Sequence, residues 1–197
     1  MMRLSGWLWV TTFNGIAYLT ILALPLAALA VWVLAYRRRA HAHPWRTSLA
    51  DVGMVYGTVP WVWMTLLPGS GAGRVPGRVN LVPLRDLLAQ VDDGGWIQIV
   101  GNLLVFAALG FFAPLRFAAL ASVPRVLALG AACSVLVEVV QYVMRLDRVS
   151  SVDDVLVNAV GAGLAALASR RWWRTPTTKE SGPAHERPAR TGTQATS

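Results

Sequence analysis

One cysteine, three histidines and ten acidic side chains in 197 residues remove several kinds of protein at the outset. Cys133 by itself cannot close an intrachain disulfide, and its place inside an apolar run reads as packing. Charged residues make up 14% of the chain against 55% hydrophobic ones, too little polarity to cover a soluble domain. The one Gly-rich stretch, Gly69-Ser70-Gly71-Ala72-Gly73-Arg74, has neither a G-x-G-x-x-G spacing nor a Lys-Ser/Thr pair, which excludes a nucleotide loop and predicts a flexible linker. No internal repeat and no second domain are visible.

What the chain has is long apolar runs. They fall at Asn14 to Tyr36, Ser48 to Leu67, Trp96 to Leu115, Arg125 to Val143 and Val152 to Ala168, each near the roughly 20 residues that a membrane-spanning helix needs. The predicted fold class is all-α, a polytopic transmembrane helix bundle of about five spanning helices. The first run also resembles a signal peptide, with Ala28-Leu29-Ala30 as a cleavage site. It continues to Tyr36, however, and stops at Arg37-Arg38-Arg39, flanks that favour a stop-transfer helix. Residues 1–44 are then an N-terminal helix with its basic loop, 45–170 a membrane domain, and 171–197 a tail. From Thr175 onward its Thr, Pro, Ala and charge predict disorder.

A net charge of +8 would point to nucleic acid in a soluble protein. Here the basic residues sort by side of the membrane. Five spans put 12 of the 18 Lys and Arg on one side, among them Arg37, Arg38, Arg39, Arg46, Arg116 and Arg125. The other side carries Arg3, Arg74, Arg78, Arg85, Arg145 and Arg148, balanced by acids. The positive-inside rule predicts a multi-pass protein of the plasma membrane, N-terminus outside and C-terminus cytoplasmic, with no nucleic-acid partner. His41, His43 and His185 fall on the cytoplasmic side. Trp7, Trp9, Trp61, Trp63 and Trp96 lie toward the outer ends and Trp32, Trp45, Trp172 and Trp173 toward the inner ends, as two aromatic belts would. In the long outer loop, Leu84, Leu87, Leu88 and Val91 recur at helical spacing and predict one short amphipathic, interfacial helix.

An ionisable side chain inside hydrocarbon is costly unless it faces the bundle interior and finds a partner. Asn102, Glu138, Gln141, Arg148, Asp154 and Asn158 sit in or at the ends of apolar runs, all near the outer ends. Asn102, six residues past Trp96, lies about 9 Å deep at roughly 1.5 Å per residue, and Asn158 lies equally far past Val152. Glu138, Gln141 and Arg145 form one helical stripe. Asp154, Asn158, Gly161 and Ala165 form another, running into small residues that let a neighbouring backbone approach.

Each residue has a plainer role open to it. Ser151-Val152-Asp153-Asp154 is a capping-box pattern, so Asp154 has a local use, and Asp51 after Ser48 is better read as a cap of the same kind. Arg145 and Arg148 read also as interfacial anchors, and Asn102 and Asn158 as interhelical glue. Glu138, one to two turns inside an apolar helix, is hardest to account for without a partner such as Arg148.

Together the motifs Asn80-Leu-Val-Pro83, Asn102-Leu-Leu-Val-Phe-Ala-Ala-Leu-Gly110-Phe-Phe-Ala-Pro114, Glu138-x-x-Gln141 and Arg148-x-x-x-x-Asp153-Asp154-x-x-x-Asn158-x-x-Gly161 resemble the VanZ-like family over about residues 45–170. Ala165 stands where a further Gly is common, and an additional helix precedes the core. The resemblance implies a multi-spanning protein of the bacterial cell envelope, in a family named for a member that raises resistance to the glycopeptide teicoplanin. It implies no established reaction.

Two readings of function are open. In the first, an enzyme acts on the head group of a membrane lipid or a polyprenyl-linked precursor at the outer leaflet. Arg148, with Arg145 or Arg85, holds a phosphate, Glu138 is general acid or base, and Asp154 with Asn158 and Asn102 orients the head group or completes a hard-cation site. Asn80, Gln141 and Asp153 complete the binding set. In the second, the same pocket binds a lipid or an antibiotic without turnover; a purely structural assembly factor is a further class. The pattern names no cofactor, and the absence of histidine on the outer side argues against a His-based mechanism.

Overall fold

The computed structural model describes residues 12–173, so Arg3, Trp7, Trp9 and the tail from Thr175 lie outside the described residues. In chain order the elements are α1 (Phe13–Arg37), α2 (Pro44–Thr65), β1 (Arg78–Asn80), α3 (Arg85–Asp92), α4 (Trp96–Val105), α5 (Ala107–Arg116), a 3-10 turn (Ala118–Leu120), α6 (Val123–Val143), β2 (Val149–Ser151) and α7 (Val152–Trp173). This is an all-α membrane bundle with almost no sheet. α1 opens where Thr12 Oγ1 accepts the Gly15 N–H at 3.1 Å, and it runs past Pro25 and Ala28–Ala30 to Arg37.

Four helical segments are long and apolar enough to cross a membrane: α1, α4 with α5, α6 and α7. α2, the fifth expected span, is not among these four. Its 22 residues would reach about 33 Å at 1.5 Å per residue, yet Asp51, Gly53, Gly57, Thr58 and Pro60 dilute its apolar content. The run from Trp96 to Leu115 is not one helix either. It breaks at Phe106, whose N–H turns to Leu104 O.

α7 is the central post, with α4, α5 and α6 packed around it. Small residues make this possible: a Cβ on Gly161 would stand 2.0 Å from Leu103 O, and one on Gly110 2.1 Å from Ala162 O. Without apolar solvent contrast to drive association, helices in lipid join by such close backbone packing. α1 and α5 pack on α2, where a Cβ on Gly57 would meet that of Ala108 at 2.4 Å. Val105, Phe106, Val126, Ala162 and Ala166 form the buried core, and Cys133 packs against it.

Two features at the α6–α7 end were not expected. β1 and β2 pair in parallel, Arg78 opposite Val149 and Asn80 opposite Ser151. The Gly-rich stretch is no free linker: Gly69, Gly71 and Gly73 donate their N–H groups to Leu146 O, Asp147 Oδ2 and Arg145 O, each at 2.9 Å. A Cβ on Gly71 would press on Asp147 at 2.9 Å, so glycine is what lets this backbone lie directly on the turn. Arg145 and Asp147 hold left-handed φ angles of 51° and 56° in that turn. Since α6 ends at Val143, Arg145 leaves the Glu138–Gln141 stripe and is exposed.

At the opposite end, Asp51 does not cap. α2 begins at Pro44 with His43 at its N-cap position, which puts Ser48 and Asp51 inside the helix. Asp51 instead takes Arg38 Nη1 at 2.6 Å and Arg116 Nε at 2.7 Å, joining the ends of α1, α2 and α5.

Candidate functional site

The wall of the site is assembled around α3. Its first amides, which have no partner within the helix, are met from outside: Leu84, Asp86 and Leu87 donate their N–H groups to the Asp153 carboxylate at 2.6, 2.9 and 3.0 Å. Asp153 is 2% exposed, and its negative charge lies against the positive end of the helix dipole. Leu84, just before the helix, has φ 65°. Asp86 in turn accepts from Asn80 Nδ2 and Ser151 Oγ, both at 2.6 Å, while Asn80 Oδ1 takes the Val82 N–H at 3.1 Å. Asn80 and Asp153, expected as binding residues, stitch the loop and α3 onto the start of α7 and do not line the cavity described next. Arg85 is exposed on α3 and does not line the cavity described next.

The adjacent aspartate behaves differently. Ser151 Oγ accepts the Asp153 N–H at 3.2 Å, half of the expected capping box. Asp154, however, accepts a hydrogen bond from Asn102 Nδ2 on α4 and lines a cavity of about 880 Å³, a size typical of ligand pockets. The six polar residues that apolar runs made conspicuous, Asn102, Glu138, Gln141, Arg148, Asp154 and Asn158, all line it. Trp61, Ile97, Val105 and Val137 supply apolar wall. Ile97 is 90% exposed on the outer surface of α4, so the cavity reaches the flank of the bundle as well as its end.

Hydrogen bonds hold most of this lining in place. Gln141 Nε2 donates to Thr65 O at 2.8 Å, and Asn158 Nδ2 to Ser134 Oγ at 2.7 Å. Arg148 Nε reaches Leu67 O at 3.4 Å. Arg148 and Asp154 both act electrostatically on Glu138, yet the expected Glu138–Arg148 pair is not an ion pair. Among the described residues the salt bridges are those of Arg38 and Arg116 with Asp51 and of Arg78 with Asp147. Arg148 thus has guanidinium donors to offer. Two buried acceptors on the lining also lack a partner, Glu138 Oε2 and Asn158 Oδ1.

Four further lining or supporting residues carried little signal. In the sequence Asp86 falls on the polar side of the Leu84–Val91 pattern, Arg78 in a loop and Ser151 at a capping position. Ser134 was findable, one turn before Glu138 on the same stripe. Among the described residues no three His, Cys, Asp or Glu side chains gather to hold a metal ion.

The VanZ/LLP1 family matches residues 54–173. The chain belongs to the VanZ/LLP1 family. The VanZ/LLP1 region runs from within α2 to the end of α7 and contains every cavity-lining residue except Phe13 of α1. No curated protein and no solved structure matches the chain.

Proposed function

We propose that this VanZ/LLP1 membrane protein takes the head group of a membrane lipid, a phospholipid or a polyprenyl-linked envelope precursor, into the cavity at the extracytoplasmic leaflet. One observation carries the reading: a cavity with apolar flank and polar floor, where, among the described residues, Arg148 has no ion pair and the buried Glu138 keeps an oxygen without a donor. Unmatched polar groups inside a membrane bundle are expensive, and a bound polar ligand offsets that cost. Arg148 would grip phosphate through its planar fork. Glu138 would move a proton if the bound molecule is converted, and Asp154, fixed by Asn102, would orient the head group. Binding of this kind is also a route by which a family member could guard an envelope precursor against teicoplanin.

The extracytoplasmic placement rests on the twelve-to-six split of basic residues, which requires α2 to cross beside the four more apolar spans. Cysteines introduced at Ser70 and Thr193 should respond oppositely to an impermeant thiol reagent on intact cells, and labelling of Thr193 alone inverts the orientation. For the site itself, the protein purified in detergent should carry an enriched lipid by mass spectrometry, and Arg148→Ala should lose it. A wild-type lipid profile no different from bulk membrane would sink the reading. A Glu138→Gln protein that keeps its lipid yet loses activity would separate conversion from binding alone.

A further inference from the structure

The lipid reading leaves open which head group fits, and the unmatched atoms narrow it. Glu138 is 9% exposed and Asn158 5% exposed, and their free atoms, Glu138 Oε2 and Asn158 Oδ1, are both acceptors. Asn158 turns its amide nitrogen to Ser134 Oγ at 2.7 Å, which leaves Oδ1 as its atom without a partner. A ligand end that satisfies them must be a donor. Around them the lining carries Asp86, Asp93, Glu138, Asp147 and Asp154 against Arg78 and Arg148. A chain of net charge +8 thus encloses an acid-rich cavity. Arg78 is turned to Asp147 at 3.5 Å, so Arg148 is the lining cation without a carboxylate partner among the described residues.

A purely anionic head group would suit Arg148 and meet an excess of carboxylates beside it. From this we propose that the cavity is built for a zwitterionic aminoalkyl phosphate head group, its phosphate on Arg148 and its primary ammonium among Glu138 Oε2, Asn158 Oδ1 and Asp154. The ammonium brings three N–H donors and a positive charge together. A quaternary ammonium has the charge without the donors. A glycerol head has the donors without the charge.

The inference rests on the lipid-binding reading, and one titration distinguishes the two. Full-length protein in detergent is titrated with dihexanoyl phosphatidylethanolamine, phosphatidylcholine and phosphatidylglycerol, with water-soluble phosphoethanolamine as a fourth probe, and binding is read by native mass spectrometry. The expected order puts phosphatidylethanolamine about tenfold tighter than either other lipid, the worth of one good charge-assisted contact. Glu138→Gln should erase that margin, bringing phosphatidylethanolamine and phosphatidylglycerol within about twofold of each other. Phosphatidylglycerol binding as tightly as phosphatidylethanolamine to the wild type overturns the zwitterion but leaves the lipid site standing. Phosphoethanolamine binding as tightly as the lipid overturns the lipid as the source of the head group. No binding by any of the four fails both readings.

Discussion

At one end of the bundle Asp51 lies between Arg38 and Arg116 with both oxygens taken, and at the other Glu138 lies buried with one oxygen facing no donor. Both ends bring acids and arginines together, yet for opposite ends. Asp51 and its partners keep about a quarter to a third of their side-chain surface in water, at 24%, 29% and 36%. Solvent screens such pairs, so they contribute little energy apiece and serve to tie three helix ends together. At the Glu138 end the charges are drier and less well paired. A buried acceptor without a donor costs stability, and the proposed head-group site is what would account for that departure. The comparison teaches that the number of charged residues at a helix end says less than whether their hydrogen-bonding capacity is used up.

The sharpest break of this contrast should come within the site end itself. Asp153 spends both oxygens on three backbone amides of the loop and α3, so Asp153→Ala should cost about 3 kcal/mol or more, each hydrogen bond to a charged group being worth roughly 1.5–3. Thermal unfolding in detergent would record it, and Asp153→Asn, which keeps one acceptor oxygen, should fall between. An unchanged melting temperature for Asp153→Ala would mean that α3 is not held from α7.

Glu138→Gln and Asp154→Asn should reverse that pattern. With Glu138 Oε2 lacking any partner to lose, stability should hold within about 1 kcal/mol, the size of an ordinary hydrogen-bond change, while lipid binding or activity falls. Retention of both at normal yield would reduce these residues to helix glue and caps.

Asp51→Ala should give the smallest effect, about 1 kcal/mol for its exposed pairs, and high salt should shrink it further. Ligand binding should not change. A loss of binding in Asp51→Ala would show that the two ends are coupled and the contrast drawn between them is wrong.

Helix positions were legible because apolar runs of spanning length leave a chain in lipid little choice: backbone groups must bond internally, and a helix does so locally. The same logic made Asn102, Glu138, Gln141, Arg148, Asp154 and Asn158 conspicuous, since each is a polar departure in a segment that lipid would otherwise select as apolar. α3 was legible from the spacing of Leu84, Leu87, Leu88 and Val91. The break at Phe106 was not, for no Gly or Pro marks it. Nor was the parallel pair of three-residue strands, whose partners lie some seventy residues apart and are joined only when α6 and α7 close the loop.

What sequence alone determined is an all-helical membrane protein of this family with polar side chains concentrated toward one end. Which of them bind each other and which remain open was decided by tertiary packing. Asp153 and Asp154 are neighbours of identical chemistry, turned about 100° apart around α7 by a helix of 3.6 residues per turn. One is met by the amides at the start of α3 and is used up; the other meets Asn102 and a cavity. Asp51 became an ion-pair centre for the same reason, because α1 and α5 carry Arg38 and Arg116 to its side. A carboxylate's role follows from the donors that other elements bring to it, and their positions are not written in its local sequence.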